Sequence, residues 1–364
     1  MRIILSGGGT MGSVYPLLAV RDKMIERNIA VEFLWIGTDN GPEKEMLARE
    51  NITFRAIKSG KVRRYFSLQN FIDPIRALFG IFQSLKIIKE FKPDVILSAG
   101  SFVSVPVYFA ARMNKVKFFV HQQDIVPGLA NKLMARRADV VTVSFADSLQ
   151  YFPKEKTVLT GNPVRSALLR GQKEIFAKKY GLDLNIPTLL IVGGSTGAEK
   201  INELVTSSVT QLIQFCQIIH VTGRDNLVEW VDRDKFGDKA KRYHAFEYLY
   251  EDMADAYAMA NLVVCRAGLS TLTELAALRK PIITIPIPDN QQEANATYFA
   301  SRNAAIRLDQ GLVTTAEFVS LVRGLFENHY GLDNLVRNIV DIMPADVADS
   351  YVNLIIKKVQ VISN

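Results

Sequence analysis

Short apolar runs alternate with longer stretches whose apolar residues recur every three to four positions, from one end of the chain to the other. Uninterrupted apolar runs bounded by polar turns are what strands buried on both faces look like, so the pattern predicts parallel α/β sheets. In the first half the runs fall at 2–5, 31–36, 53–57, 95–98, 118–121 and 140–143; in the second half they fall at 188–192, 217–221, 262–265, 282–285 and 305–308. Helical periodicity fills most of the intervals, for example at 15–27, 129–136 and 272–278. Each half opens with a strand running into a glycine-rich turn and then a helix: Ile3-Ile4-Leu5-Ser6-Gly7-Gly8-Gly9 and Leu190-Ile191-Val192-Gly193-Gly194-Ser195-Thr196-Gly197. Two doubly wound domains are expected, at 1–165 and 166–340, with a linker in the Gly-, Pro- and charge-containing stretch 161–187. The helix-like stretch 345–358 follows Pro344, and the segment 341–364 is expected to pack back on the first domain.

The length of 364 residues suits two cores, and 48% hydrophobic residues suffice to fill them. Lys and Arg total 44 against 37 Asp and Glu, a formal charge of +7, which suits an anionic partner such as a nucleotide, a pyrophosphate or an acidic membrane surface. Cys216 and Cys265 form no CxxC pair, and His121, His220, His244 and His329 lack metal-ligand spacing. Neither a disulfide framework nor a zinc site is expected. Met1 runs straight into the first strand, so no signal peptide is expected, and no window approaches the ~18 apolar residues of a membrane span. These features together describe a soluble intracellular protein that is able to sit on a membrane.

A glycine turn entering a helix offers backbone N–H groups to phosphate oxygens. Gly7-Gly8-Gly9-Thr10-Met11-Gly12 satisfies G-x-G-x-x-G directly after a strand. A nicotinamide-dinucleotide oxidoreductase would also want an acidic residue ending the second strand, whereas Glu32 lies near its start and Asp39 just past it. A turn that only packs helix on sheet is the plain alternative. The second loop, at Gly193–Gly197 in the other half, fits a transferase with a nucleotide donor and a phosphate-bearing acceptor. Cys265-Arg266-Ala267-Gly268-Leu269-Ser270-Thr271-Leu272-Thr273-Glu274 again follows a strand and opens a helix. Thr271 and Glu274 have capping-box spacing, which is one reading; a diphosphate at the helix start with Glu274 on ribose hydroxyls is the other. Downstream, Asp289-Asn290-Gln291-Gln292-Glu293-Ala294-Asn295 clusters amides suited to sugar hydroxyls at a strand's end.

These stretches, together with His121-Gln122-Gln123, Pro127-Gly128-Leu129-Ala130-Asn131-Lys132, Gly161-Asn162-Pro163-Val164-Arg165 and Asp252-Met253, occur in the order of the MurG family. The chain resembles that family of bacterial transferases, which add N-acetylglucosamine to the undecaprenyl-pyrophosphoryl-muramoyl-pentapeptide precursor of peptidoglycan. The resemblance implies a GT-B fold, two Rossmann-like domains with the active site in the cleft between them, and a peripheral position on the cytoplasmic face of the cell membrane. UDP-N-acetylglucosamine would sit mainly on the second domain, with Ser195 and Arg165 near the diphosphate and the backbone at Tyr250 framing the uracil. Leu269, Ser270, Thr271, Leu272 and Thr273 would line the nucleotide, Glu274 would hold the ribose, and Gln291 and Gln292 would read the sugar. Thr10, Met11, Gly12 and Ser13, with the stretch 98–102, would face the pyrophosphate of the lipid-linked acceptor.

The departures from the family pattern lie on the acceptor side. Met11 replaces a glycine, Ser13 a histidine, Gly100-Ser101-Phe102 a Gly-Gly-Tyr element, and His121-Gln122-Gln123-Asp124 a His-Glu-Gln-Asn element. An inverting transfer needs a base for the acceptor hydroxyl, and a serine hydroxyl is a poor one at neutral pH. Ser13 and Asp124 are therefore the candidate catalytic residues, with Asp124 taking over or sharing the base role; a helix cap or solvated carboxylate is the alternative for Asp124. Within residues 61–89, Lys61, Arg63, Arg64, Arg76, Lys86 and Lys89 interleave with Tyr65, Phe66, Phe71, Ile72, Ile75, Leu78, Phe79, Ile81 and Phe82. That is either a basic-rimmed apolar face for the anionic membrane surface or a core helix with solvated lysines, and the resemblance favours the membrane. No Asp-x-Asp accompanies the donor motif, so no protein-bound metal or cofactor is expected, and no nucleic-acid partner.

Overall fold

Ile3, Ile4 and Leu5 are buried without interruption, which a strand achieves only when both faces of its sheet are covered. In the computed structural model, which describes residues 1–60, 69–194, 198–227, 233–344 and 346–360, the chain divides into two units. One comprises Met1–Arg165 with Asp346–Asn364, the other Ser166–Ala345.

The first unit holds β1 (Arg2–Ser6), α1 (Tyr15–Glu26), β2 (Glu32–Thr38), α2 (Glu43–Arg49), β3 (Phe54–Ile57) and α3 (Gln69–Phe91). It continues with β4 (Val95–Ser98), α4 (Ser104–Met113), β5 (Lys117–Gln122), α5 (Leu129–Ala135), β6 (Val140–Val143) and β7 (Thr157–Leu159). The second unit holds α6 (Lys173–Tyr180), β8 (Thr188–Val192), α7 (Glu199–Leu212), β9 (Gln217–Val221), α8 (Arg233–Phe236), β10 (Tyr243–Phe246) and α9 (Met253–Met259). After these come β11 (Leu262–Cys265), α10 (Leu269–Ala277), β12 (Ile282–Thr284), α11 (Gln291–Ser301), β13 (Ile306–Arg307), α12 (Thr315–Glu327) and α13 (His329–Val340). The last helix, α14 (Val347–Gln360), belongs to the first unit.

The strands pair in the orders β3-β2-β1-β4-β5-β6-β7 and β10-β9-β8-β11-β12-β13, and all pairs are parallel. Every strand expected from the apolar runs is present. Two more, β7 and β10, complete the edges, and both are short and incompletely buried. In each sheet the winding direction reverses between the first strand and its later neighbour, β1 beside β4 and β8 beside β11. Such a reversal parts the flanking loops and leaves a crevice at the strands' carboxyl ends.

Along β1 the side chains alternate between two cores. Ile3 and Leu5 pack with Leu17, Leu18 and Val20 of α1 and with Tyr351, Val352 and Ile355 of α14. Ile4 faces Val103, Val107 and Ala110 on the opposite side. Polar contacts also tie α14 to α1: Arg27 donates to Asn353 at 2.8 Å, and the Lys23 ammonium lies 3.3 Å from the Asp349 carboxylate. In the second unit Leu189, Ile191, Ile218 and Val264 meet Ile201, Val205 and Val209 of α7 and Phe318 and Val322 of α12. Among the described residues no helix is long and apolar enough to cross a membrane.

Each sheet also buries one histidine near a strand end. His121 of β5 pairs with the Thr142 hydroxyl at 2.8 Å and the Asn162 amide oxygen at 3.0 Å. His220 of β9 pairs with the Tyr243 hydroxyl and the Asn202 amide oxygen, both at 3.0 Å. Burial disfavours the imidazolium and pushes both rings down to about 4. Between pH 6.5 and 4 the unfolded chain therefore binds protons that the folded chain refuses, so stability falls as pH falls through that window. At pH 5 each ring is expected to cost about 2 kcal/mol. Urea midpoints measured from pH 7.5 to 4.5 check this; His220→Gln should flatten the acid side of the profile, and an unchanged slope would contradict the assignment.

Candidate functional site

A parallel strand that ends beneath a loop leaves backbone donors and acceptors that the neighbouring strands do not satisfy. In the first unit side chains meet them. After β1 the Gly8 amide donates to Ser13 Oγ at 3.0 Å and the Gly9 amide donates to Glu43 Oε2 at 3.0 Å. Trp35 Nε1 donates to the Gly7 carbonyl at 2.8 Å, and Ser101 Oγ donates to the Gly8 carbonyl at 2.6 Å. Gly9 has φ +79°, and a Cβ there would press on the Phe102 ring. Beneath the loop after β4, Ser104 Oγ donates to the carbonyls of Ser6 and Gly100. Gln123 Nε2, after β5, reaches the Ala99 carbonyl at 3.0 Å. The loops after β1, β4 and β5 thus form one hydrogen-bonded group beside the β1–β4 reversal.

Within that group Thr10 is exposed, Met11 is buried, and Met11–Ser13 form one 3₁₀ turn with Gly12 at its centre. Ser13 is buried, and its hydroxyl accepts from Gly8 while lying 3.4 Å from the Thr10 carbonyl, so it shapes the loop from inside. Asp124 is half-buried. Its carbonyl is held by Gln122 Nε2 at 2.7 Å and by Ser148 Oγ at 3.4 Å, which fixes the backbone that carries the carboxylate. Asn131 Nδ2 in turn holds Gln122 Oε1 at 2.6 Å. The Arg165 guanidinium stacks over the Tyr15 ring, 4.7 Å from its centroid.

In the second unit the loop after β8 begins with Gly193 and Gly194, the latter at φ +95°; Ser195, Thr196 and Gly197 lie outside the described residues. The helix after β11 corrects the capping-box reading. α10 begins at Leu269 with Gly268 as N-cap and no side-chain cap, so Thr271 and Glu274 sit inside the helix. Leu269, Ser270, Leu272, Thr273 and Glu274 are buried and Thr271 is half-buried. Thr273 Oγ1 bonds back to the Leu269 carbonyl at 2.9 Å. Glu274 accepts from the hydroxyl of Tyr257, a fully buried residue of α9, at 3.2 Å.

Two further side chains hold this end of the sheet. Arg266 Nη1 donates to the Ile285 carbonyl at 2.9 Å, tying the loop after β11 to the loop after β12. Asn295 of α11, fully buried, donates to the Ala267 carbonyl at 3.1 Å. The α10 start and the amide cluster are therefore joined: Asn290 caps α11, Gln291 is its exposed first residue, and the half-buried Gln292 accepts from the Ile287 amide at 3.3 Å. Tyr250 lies in the loop after β10, partly exposed and stacked on Tyr248 at 5.2 Å. Lys179 and Tyr180 of α6 anchor that loop through the Asp252 carboxylate at 2.7 Å each. Glu43 and Tyr257 belong to no motif in the sequence, and only the fold brings them to Gly9 and Glu274.

On the first unit's surface, α3 presents Ile75, Leu78, Phe79 and Phe82, each 54–62% exposed, at the i, i+3, i+4, i+7 spacing of one helix face. α4 packs beside it and exposes Phe109 and Met113. The core-helix reading of 75–82 is thereby corrected. Arg76, Lys86 and Lys89 are exposed along the same helix, whereas Lys61, Arg63, Arg64, Tyr65 and Phe66 lie outside the described residues.

Comparison with known proteins adds a relationship to this geometry. Residues 3–143 match the glycosyltransferase family 28 N-terminal domain, and residues 188–334 match the glycosyltransferase family 28 C-terminal domain. A relative from Clostridium botulinum (strain Loch Maree / Type A3) is 38% identical over 355 residues, covering 94% of this chain and 98% of that one. It is named UDP-N-acetylglucosamine–N-acetylmuramyl-(pentapeptide) pyrophosphoryl-undecaprenol N-acetylglucosamine transferase. A relative of the same name from Clostridium perfringens (strain SM101 / Type A) is 37% identical over 94% of this chain and 97% of its own. The crystal structure of Acinetobacter baumannii MurG superimposes with a TM-score of 0.71 at 25% identity, covering 98% of this chain and 99% of that one.

Asn295→Ala strands the Ala267 carbonyl in a buried setting and is expected to lower stability by about 1–3 kcal/mol. Urea unfolding checks this, and a loss below ~0.5 kcal/mol would mean that the loop does not depend on the contact.

Proposed function

The chain belongs to the MurG family within glycosyltransferase family 28, a GT-B enzyme, and from that membership we propose that it moves N-acetylglucosamine from UDP-N-acetylglucosamine to the lipid-linked muramoyl-pentapeptide acceptor of peptidoglycan synthesis. The observation that carries this reading is the 38% identity with a transferase of that name across nearly the full length of both chains. The geometry supports it, since the donor motif opens α10 beside the β8–β11 reversal, where the helix end and backbone amides favour a diphosphate.

In this proposal Glu274 holds the ribose, Leu269 to Thr273 line the nucleotide, Gln291 and Gln292 read the sugar, and the backbone at Tyr250 frames the uracil. Ser195 and Arg165 approach the diphosphate, and the Tyr15 ring lies against the Arg165 guanidinium. Thr10, Met11 and Gly12 meet the acceptor pyrophosphate. The acceptor hydroxyl attacks the anomeric carbon, its proton passes to the Asp124 carboxylate, and the bond to UDP breaks as donors and helix end take up the negative charge. Ser13 contributes by holding the Gly8 amide, which keeps the loop in shape.

We further propose that α3 rests on the anionic cytoplasmic membrane surface, beside the lipid tail of the acceptor. Each half-exposed apolar side chain gains on the order of 1 kcal/mol by entering lipid. Four of them bind only marginally, so the basic residues at about 1 kcal/mol each are needed to hold the protein there.

Purified protein mixed with UDP-N-acetylglucosamine and a short-chain acceptor analogue is expected to yield the disaccharide, read by mass spectrometry. Asp124→Asn should lower kcat about 100-fold or more, as loss of a general base does, without weakening UDP binding; full turnover would remove Asp124 from the base role. Absence of product from wild-type protein that binds UDP would redirect the assignment to another lipid acceptor or to a homologue that has lost catalysis. Liposome flotation tests the surface: binding to phosphatidylglycerol vesicles is expected at low salt, weaker at high salt, and abolished by Leu78→Glu with Phe82→Glu. No flotation of the wild type at either salt would sink the membrane assignment.

A further inference from the structure

The Gly7–Gly12 turn looks like a phosphate cradle, yet its first three amides are already engaged by the protein, that of Gly7 by the Ile36 carbonyl at 3.3 Å. Gly8 N–H points to Ser13 Oγ and Gly9 N–H to Glu43 Oε2, both at 3.0 Å. The Glu43 carboxylate is fully buried. Its other oxygen, Oε1, accepts the Thr38 amide at 2.7 Å and the Thr38 hydroxyl at 2.5 Å. Three glycines make room for it: a Cβ on Gly8 or Gly41 would collide with the carboxylate, and one on Gly37 would come within 3.1 Å of Oε1. Glycines from the loop after β1, the end of β2 and the turn before α2 thus enclose one anionic group beneath the loop.

We propose that Glu43 is a positioning residue for acceptor binding: its carboxylate occupies the amide cradle at Gly9, fixes the turn, and displaces the acceptor's pyrophosphate toward Thr10, Met11 and Gly12. The proposal rests on the assignment of this loop to the acceptor. Gly9 lies between the carboxylate and Phe102, and Gly8 is held by Ser101, so slack at Glu43 reaches both loops after β1 and β4. A buried negative charge also opposes a phosphate settling at the glycine end, which sets where along the turn the ligand sits.

The test uses the full-length protein, saturated with UDP, and farnesyl pyrophosphate as the probe, with binding measured by calorimetry. Glu43→Gln presents one acceptor oxygen and one amide group to three donors, so Gly9 or Thr38 loses its partner. Farnesyl pyrophosphate affinity is expected to fall at least tenfold while UDP affinity, measured separately, stays within twofold. Thr38→Val is the control: it removes the hydroxyl donor to Oε1 and keeps the bond at Gly9, so it should lower the melting temperature but leave probe affinity within about threefold. Wild-type affinity in Glu43→Gln overturns the proposal, as does an equal loss in Thr38→Val at an equal drop in melting temperature. If Glu43→Gln does not fold, Glu43→Asp, which withdraws the carboxylate from Gly9, is read by the same criteria. A wild-type protein that does not bind farnesyl pyrophosphate overturns the acceptor assignment of the loop and this proposal with it; a binding wild type with unaffected variants overturns this proposal alone.

Discussion

Parallel strands that stop under a loop must find partners for the backbone groups they leave behind, and that requirement organises both units. On the first, Glu43, Ser13, Ser101, Ser104 and Gln123 meet the loose ends of β1 and β4. On the second, Arg266 and Asn295 do the same around β11 and β12. Each of these bonds satisfies a polar group at least partly withdrawn from water, and each also fixes a loop at the edge where the winding reverses. Structural necessity and site construction are met by the same side chains.

The two units solve the problem with different chemistry. The first relies on hydroxyls, the Gln123 amide and one enclosed carboxylate, so its glycine turn is braced from within. The second spans its loops with a guanidinium whose partial burial pulls its pKa down, and with an asparagine that crosses to a neighbouring helix. Glu274 lies inside α10, where it accepts from the Tyr257 hydroxyl and does not cap the helix start. Removal from water strengthens each of these contacts.

Much of the fold was legible because parallel strands are buried on both faces and leave apolar runs that little else produces. β7 and β10 escaped because an edge strand of three or four half-buried or exposed residues leaves no such run. α10 starts three residues before the position the periodicity implies, since Thr271 and Glu274 imitate a cap while Gly268 provides the real one. The face of α3 stayed ambiguous because periodicity shows that an apolar stripe exists, not what covers it. At the candidate site, residues that belong to a motif of their own were visible, as at Gly8 to Ser13 and Leu269 to Glu274. Glu43 was not, because its partners come from Gly9 and Thr38 and only folding assembles them. The one trace in the sequence is the set of glycines at 8, 37 and 41, which gains meaning once their common neighbour is known.

The return of α14 to the first unit bears on how the chain is made. Tyr351, Val352 and Ile355 belong to the same core as Ile3, Leu5 and Leu17, so that core spans nearly the whole sequence. A ribosome delivers the second unit's complete chain before it delivers the helix that closes the first. Domains made during synthesis usually fold from the N-terminus onward; here the unit begun first gains its last core helix only after the whole of the second unit has been made.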